Sequence, residues 1–128
     1  MATNSQWKIN QNDLTILRDL AKKISDIANS PINQERRESW YKHNSLESSR
    51  PLVLIESGIA LNELVTESDL KCQEGWARGL ELGFRRTIYH FENIKDDEVV
   101  EPYINCNWHV SVSNYGCEAI YERGDSGT

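Results

Sequence analysis

Apolar residues near the start of the chain recur with the period of an amphipathic α-helix. Spacings of three and four residues predict a first helix that begins at Asn12 or Asp13, where a polar side chain can cap it. Its apolar stripe consists of Leu14, Leu17, Ala21, Ile24 and Ala28. Because the residue before a proline avoids the helical region, this helix ends before Pro31. Pro31 then starts a second helix, capped by Ser30, that runs to about His43.

Two short apolar runs flank a longer helical pattern in the middle of the chain. PLVLIE (51–56) and VVEPYIN (99–105) are typical of buried strands, and a helix is predicted between them from Ser68 to about Ile94. Two strands joined by such a helix predict a right-handed parallel βαβ unit. Since parallel strands end at the same rim, Glu56 and Asn105 are expected to lie near one rim, where α/β proteins place their chemistry.

Glycine recurs every four residues along one line of the predicted long helix. Gly75, Gly79 and Gly83 form this line. Each glycine in a helix interior costs roughly 1 kcal/mol relative to alanine. Three of them on one line predict the close approach of a neighbouring backbone.

Length and charge limit the classes of protein to which the chain can belong. The 128 residues suit one domain or a piece of one, and a formal net charge of −6 argues against a nucleic-acid binder. No apolar run approaches the ~20 residues that span a bilayer. The first residues lack the apolar core of a secretory signal. Three cysteines, an odd number, fit reduced thiols, so we predict a cytoplasmic protein.

Three stretches resemble one protein family. They are RRESWYKHNSLESSRPLVLIE, LELGFRRTIYHFENIKDDEVVEPYINCNW and NYGCEAIYERGD, and the likeness extends over about residues 12–127. Together they are similar to the N-terminal part of uroporphyrinogen decarboxylase-like proteins, a superfamily of porphyrinogen decarboxylases and cobalamin-linked methyltransferases. The resemblance implies an α/β fold: two N-terminal helices followed by the first βαβ part of an incomplete (β/α)8 TIM-type barrel.

The same resemblance implies a division of the chain and a function. Residues 1–11 would be a loose N-terminal segment, 12–50 a helical N-terminal extension, and 51–128 the first strands and connecting helix of a truncated barrel. Full-length relatives transfer methyl groups or decarboxylate, acting on a small molecule or a corrinoid protein. Zinc and a corrinoid partner belong to the methyltransferase relatives, whose ligands lie beyond Thr128. The chain is therefore expected to be an N-terminal fragment, inactive alone, with no cofactor of its own.

Departures from the family pattern weaken the expectation of catalysis. Decarboxylases of the family carry an arginine-bearing loop after the first strand, whereas IESGIALNE has no arginine. Asn105 stands near where the second strand of such enzymes ends in an aspartate. Arginines are needed to hold the carboxylates of a porphyrinogen, so both departures argue against porphyrinogen decarboxylation.

Four residues are candidates for a site. Glu56 and Glu101 lie in or at the end of apolar strands, where either carboxylate could bind a substrate hydroxyl or act as a base. The alternative for each is an ion pair with an arginine of the long helix, or simple exposure. Asn105 is a third catalytic candidate, and His109 is a candidate for lining a substrate pocket. The set Cys106, His109 and Cys117 lacks a fourth ligand, so no metal site is predicted.

A different class of function stays open from the sequence. The chain would then be a self-sufficient small α/β domain that binds a partner or oligomerises without catalysis. In that case residues 51–56, 99–105 and 117–122 (CEAIYE) would form a sheet with covered edges. Uncovered sheet edges would instead offer a surface for oligomerisation.

Overall fold

The regular structure of this chain is helical. The computed structural model describes residues 10–47, 50–106, 110–113 and 116–117, and within these ranges it contains helices and no strand. The four α-helices are α1 (Gln11–Ala28), α2 (Pro31–Asn44), α3 (Gly58–Leu64) and α4 (Gly75–Asn93), with a 3₁₀ turn at Glu67–Asp69. No helix in the described ranges is long and apolar enough to cross a membrane.

The predicted N-terminal helices are confirmed, with small changes at their ends. Asn10, rather than Asn12 or Asp13, caps α1, because its side-chain oxygen accepts the N–H of Asn12 at 2.9 Å. Ser30 caps α2 as predicted, and Pro31 is its first residue.

Helices α1 and α4 lie side by side and run in the same direction. Near their starts Leu17 packs with Ala77, and near their ends Ile27 packs with Ile88. The carboxylate of Asp13 accepts the backbone N–H groups that precede α4, so one side chain of α1 caps its neighbour. This helix pair holds the core, to which Cys72 and Val100 also contribute from outside the two helices.

The two apolar segments predicted as strands do not pair with each other. Segment 51–56 is held by the turn that follows α4: Asp97 Oδ2 accepts the N–H of Val53 at 2.9 Å, and Asp96 Oδ2 accepts that of Ile55 at 3.0 Å. A single backbone hydrogen bond, from Asp97 N–H to the carbonyl of Val53, accompanies them. Carboxylates therefore take the place of a strand partner.

The second apolar segment is held by side chains of α2. Asn33 accepts the N–H of Val100 through Oδ1 and donates from Nδ2 to the Val100 carbonyl, both at 2.9 Å. Arg36 donates to the carbonyl of Glu98, and the indole of Trp40 donates to that of Asp97. These groups satisfy the backbone that a sheet would otherwise have satisfied.

The predicted α/β fold is therefore wrong for the described part of the chain. Neither a βαβ unit nor the start of a TIM-type barrel is present there, so no strand rim brings Glu56 and Asn105 together. Residues 118–122 of the third predicted strand lie outside the described ranges, and Cys117 is exposed without strand structure.

The glycines of α4 do not mark a close contact. A Cβ built at Gly75, Gly79 or Gly83 meets nothing within 4 Å. The predicted approach of a neighbouring backbone is wrong, and the line of glycines faces open space.

Alanine at Gly79 or Gly83 should therefore stabilise the protein. We expect each substitution to raise the free energy of unfolding by about 0.5–1 kcal/mol, because alanine loses less backbone entropy in a helix interior and has room for its methyl group here. Gly75→Ala, at the first residue of α4, serves as a control with a smaller gain. Urea denaturation measures all three, and a loss of stability at position 79 or 83 would mean that a neighbour packs there.

Candidate functional site

Four polar side chains meet at the C-terminal end of α4. His90 is buried in the last turn of the helix, and its Nε2 lies 2.9 Å from Asp96 Oδ2 and 2.8 Å from Glu98 Oε2. The other ring nitrogen, Nδ1, lies 3.2 Å from Ser57 Oγ. The imidazole is thus fixed from both sides, by a serine and by two acids.

A reversal of the chain after α4 builds this cluster. The helix ends at Asn93, and Ile94 takes an extended conformation, so the chain turns back and brings Asp96 to His90. Asp96 is buried, and its Oδ1 also accepts the N–H of Glu98 at 3.2 Å. Together with the bond from Ile55 N–H, these contacts make Asp96 the link between the turn and segment 51–56.

Hydrogen bonding keeps Asp96 ionised in spite of its burial. Burial alone raises the pKa of this carboxyl, but the hydrogen bond from His90 and the backbone N–H groups of Ile55 and Glu98 outweigh it. Its pKa therefore lies below the ordinary value for aspartate. A full negative charge stands beside the imidazole at neutral pH.

The cluster opens into a cavity of about 260 Å³. Glu56, Ser57, His90, Asp96 and Glu98 contribute polar groups to its wall, and apolar residues of the 54–61 region complete it. Glu56, a candidate from the sequence, is exposed at this cavity. A small polar ligand that enters would meet the carboxylates of Glu56 and Glu98 and the imidazole of His90, whereas the Asp96 carboxylate is buried behind them.

The contacts limit the chemistry that the cluster can perform. The path from Ser57 through His90 to Asp96 has the connectivity of a nucleophile, a base and an orienting carboxylate. However, Glu98 reaches the same ring nitrogen as Asp96, and such a relay has no role for a second acid there. One imidazole and two carboxylates converging on a point form the donor set of a cation site.

The other sequence-predicted residues lie outside this cluster. Glu101 forms an ion pair with Arg37 at 3.0 Å, so its partner comes from α2 and not from the long helix. Asn105 is exposed in the segment after α4 and does not line the cavity. His109 lies outside the described residues, as does any contact it makes with Cys106 or Cys117, which are both exposed.

No member of the cluster was predicted from the sequence. Ser57 carries no signal there, and His90, Asp96 and Glu98 were not singled out. The signal that could have found them is a histidine in the last helical turn, followed at positions six and eight by acids. Such spacing predicts a cluster only when the chain is known to reverse between them.

Comparisons of the chain with protein-family models, with curated proteins and with solved structures gave no match. Its function must therefore be argued from the contacts and surfaces described above.

Proposed function

We propose that this chain is a non-catalytic association module, which pairs with a second copy of itself through the exposed segment 51–56. The likeness to uroporphyrinogen decarboxylase-like proteins stays a prediction. The barrel strands that the chemistry of that family needs are missing from the described residues, so we assign this chain a binding role in preference to catalysis.

The observation that carries this proposal is the open outer edge of segment 51–56. The N–H groups of Val53 and Ile55 both point to the carboxylates of the turn after α4. Because alternate N–H groups of an extended chain point to opposite sides, the N–H and carbonyl of Leu54 point outward. Neither group forms a hydrogen bond within the part of the chain that the structure describes. Segment 51–56 therefore presents the edge of a strand without a sheet.

The side chains along this edge are apolar and exposed. Val53, Leu54 and Ile55 are 53%, 55% and 45% exposed. Leu54 also borders a groove of about 440 Å³ with Trp40 and Tyr41 of α2. Exposed apolar side chains next to unpaired backbone groups are typical of a site that another strand covers.

Several features favour a second copy as the occupant. Antiparallel pairing about a twofold axis at Leu54 would place Val53 opposite Ile55 of the partner, apolar against apolar, and Leu52 opposite Glu56. The two Leu54 residues would then exchange both of their backbone hydrogen bonds. Pairing about a twofold axis uses the same edge of both copies, so it closes as a dimer and does not continue into a fibre.

Leu54→Pro should weaken self-association about five- to thirtyfold. The proline removes the donor that each copy contributes at the centre of the pair, and one or two net hydrogen bonds amount to about 1–2 kcal/mol. Its fixed φ suits an extended chain, and the missing N–H is unbonded in the single chain, so folding stability should stay nearly unchanged. Sedimentation equilibrium over a range of concentrations measures the dimer constant, and thermal melts measure the folding stability.

Leu54→Ala is the matched control, because it shortens the same side chain but keeps the backbone donor. It should weaken the dimer less than proline does. A wild-type chain that stays monomeric at every accessible concentration would overturn the proposal, and so would a proline variant that dimerises like the wild type.

A further inference from the structure

We propose that His90, Asp96 and Glu98 bind a divalent transition-metal ion of the Zn²⁺ class. One donor atom from each of the three side chains lies within 4.8 Å of the other two. His90 Nε2 stands between the carboxylate oxygens, at 2.9 Å from Asp96 Oδ2 and 2.8 Å from Glu98 Oε2. This inference does not rest on self-association, because none of the three ligands belongs to segment 51–56.

The donor atoms need only a small adjustment to hold an ion. Tetrahedral zinc with bonds of about 2.0–2.1 Å places neighbouring donors about 3.3 Å apart. The two oxygens must therefore each move about half an ångström away from Nε2. The Glu98 side chain is 52% exposed and can move outward. His90 and Asp96 are buried, so they must separate by a few tenths of an ångström within the folded turn.

Hydrogen bonds from neighbouring groups orient two of the three ligand side chains, as such bonds do around known metal sites. Ser57 Oγ is placed to accept a hydrogen bond from His90 Nδ1–H, so that Nε2 can give up the proton it donates to Asp96 and offer its lone pair to an ion. Asp96 Oδ2 is fixed by the N–H of Ile55, and Asp96 Oδ1 by the N–H of Glu98. Two of the three ligands are thus held before any ion binds.

Charge and ligand type determine the class of ion. With a neutral imidazole the three groups carry two negative charges, and a divalent cation neutralises both. One nitrogen and two oxygen donors suit Zn²⁺, Mn²⁺ or Co²⁺, whereas the absence of a thiolate from the triplet disfavours Cu⁺. Three protein ligands leave a further coordination position, and it would face the cavity that Glu56 and Ser57 also line.

Zinc titration by calorimetry tests the site. Because exposed thiols such as Cys106 and Cys117 can compete for zinc, the titration uses a Cys106→Ser/Cys117→Ser background. Cys72 can stay, since burial raises the pKa of its thiol to about 12 and keeps it from forming a thiolate. We expect one Zn²⁺ per chain, with at least about tenfold weaker binding in both His90→Gln and Glu98→Gln.

Two matched substitutions serve as controls. His43→Gln removes an exposed histidine of α2, and Glu101→Gln removes an acid of the same extended segment, so both should leave the affinity within about twofold. Glu98→Gln changes a half-exposed side chain, which keeps the test valid if His90→Gln fails to fold. No heat of zinc binding in the background protein, or equal affinity in Glu98→Gln and Glu101→Gln, would overturn the proposal.

Discussion

Asn33→Ala should lower the free energy of unfolding by about 3 kcal/mol or more. Asn33 is completely buried, and its amide serves three backbone groups. Nδ2 donates to the carbonyls of Ala28 and Val100, at 2.8 and 2.9 Å, and Oδ1 accepts the N–H of Val100. Alanine would leave these three groups without partners in the interior, and each unsatisfied group costs about 1–3 kcal/mol.

The neighbouring residue provides the control for this variant. Gln34 is exposed, and its side chain donates one long hydrogen bond, 3.3 Å, to the carbonyl of Asn29. Gln34→Ala should change stability by less than about 0.5 kcal/mol. Urea denaturation, fitted with one m-value for both variants, gives the two free energies of unfolding. An Asn33→Ala chain as stable as Gln34→Ala would show that water or a rearranged backbone replaces the amide.

The role of Asn33 also shows why the strands were predicted wrongly. The period of the apolar residues was enough to predict α1 and the long helix, because that period reflects the chain's own geometry, although α4 begins at Gly75 and not at Ser68. Ser30 and Pro31 were enough to predict where α2 begins. The apolar runs of residues 51–56 and 99–105 were also enough to predict that both segments are extended. What holds an extended segment is not local, however: here an amide of α2 occupies the place of a neighbouring strand at Val100. Apolar runs alone do not distinguish a segment that pairs with a strand from one that is held by side chains.

The candidate site was predicted in part for the same reason. Glu56 does line the cavity, but the argument that placed it there depended on a strand rim that the described residues lack. His90 and Asp96 come together because the chain reverses after Asn93. The expectation for Glu101 missed Arg37, because α2 was not placed beside the segment that follows α4.

Acid should destabilise this protein strongly between about pH 5 and pH 2. Glu81 is completely buried in α4; its carboxylate accepts the N–H groups of Lys71 and Cys72 and pairs with Arg85 at 2.7 Å. Burial alone raises the pKa of Glu81, but these hydrogen bonds and Arg85 outweigh it and lower the pKa from 4.5 to about 2. Asp97, hydrogen-bonded to Arg50 and to a backbone N–H, also has its pKa lowered to about 2.

The sign of the pH effect follows from the direction of these shifts. A group whose pKa is lower in the folded state binds its proton more readily in the unfolded chain. Its contribution is therefore complete above the unfolded pKa and is lost as the pH falls through the folded pKa. For Glu81 a shift from 4.5 to about 2 corresponds to about 3 kcal/mol. Asp97 adds a smaller contribution, because its partner Arg50 is largely exposed and screened by solvent.

Glu81→Gln separates this contribution from the general effect of acid. At pH 7 the variant should be about 3 kcal/mol less stable than the wild type, since the glutamine amide cannot accept all the bonds of the carboxylate. The difference should shrink as the pH approaches 2, where the wild-type carboxyl is itself protonated. Urea denaturation at several pH values measures it, with the exposed Glu92→Gln as the control, because Glu92 pairs only at the surface with Lys23. If the free energies of unfolding of Glu81→Gln and the wild type change with pH in parallel, then Glu81 is not the charge that stabilises the junction of residues 71–72 with α4.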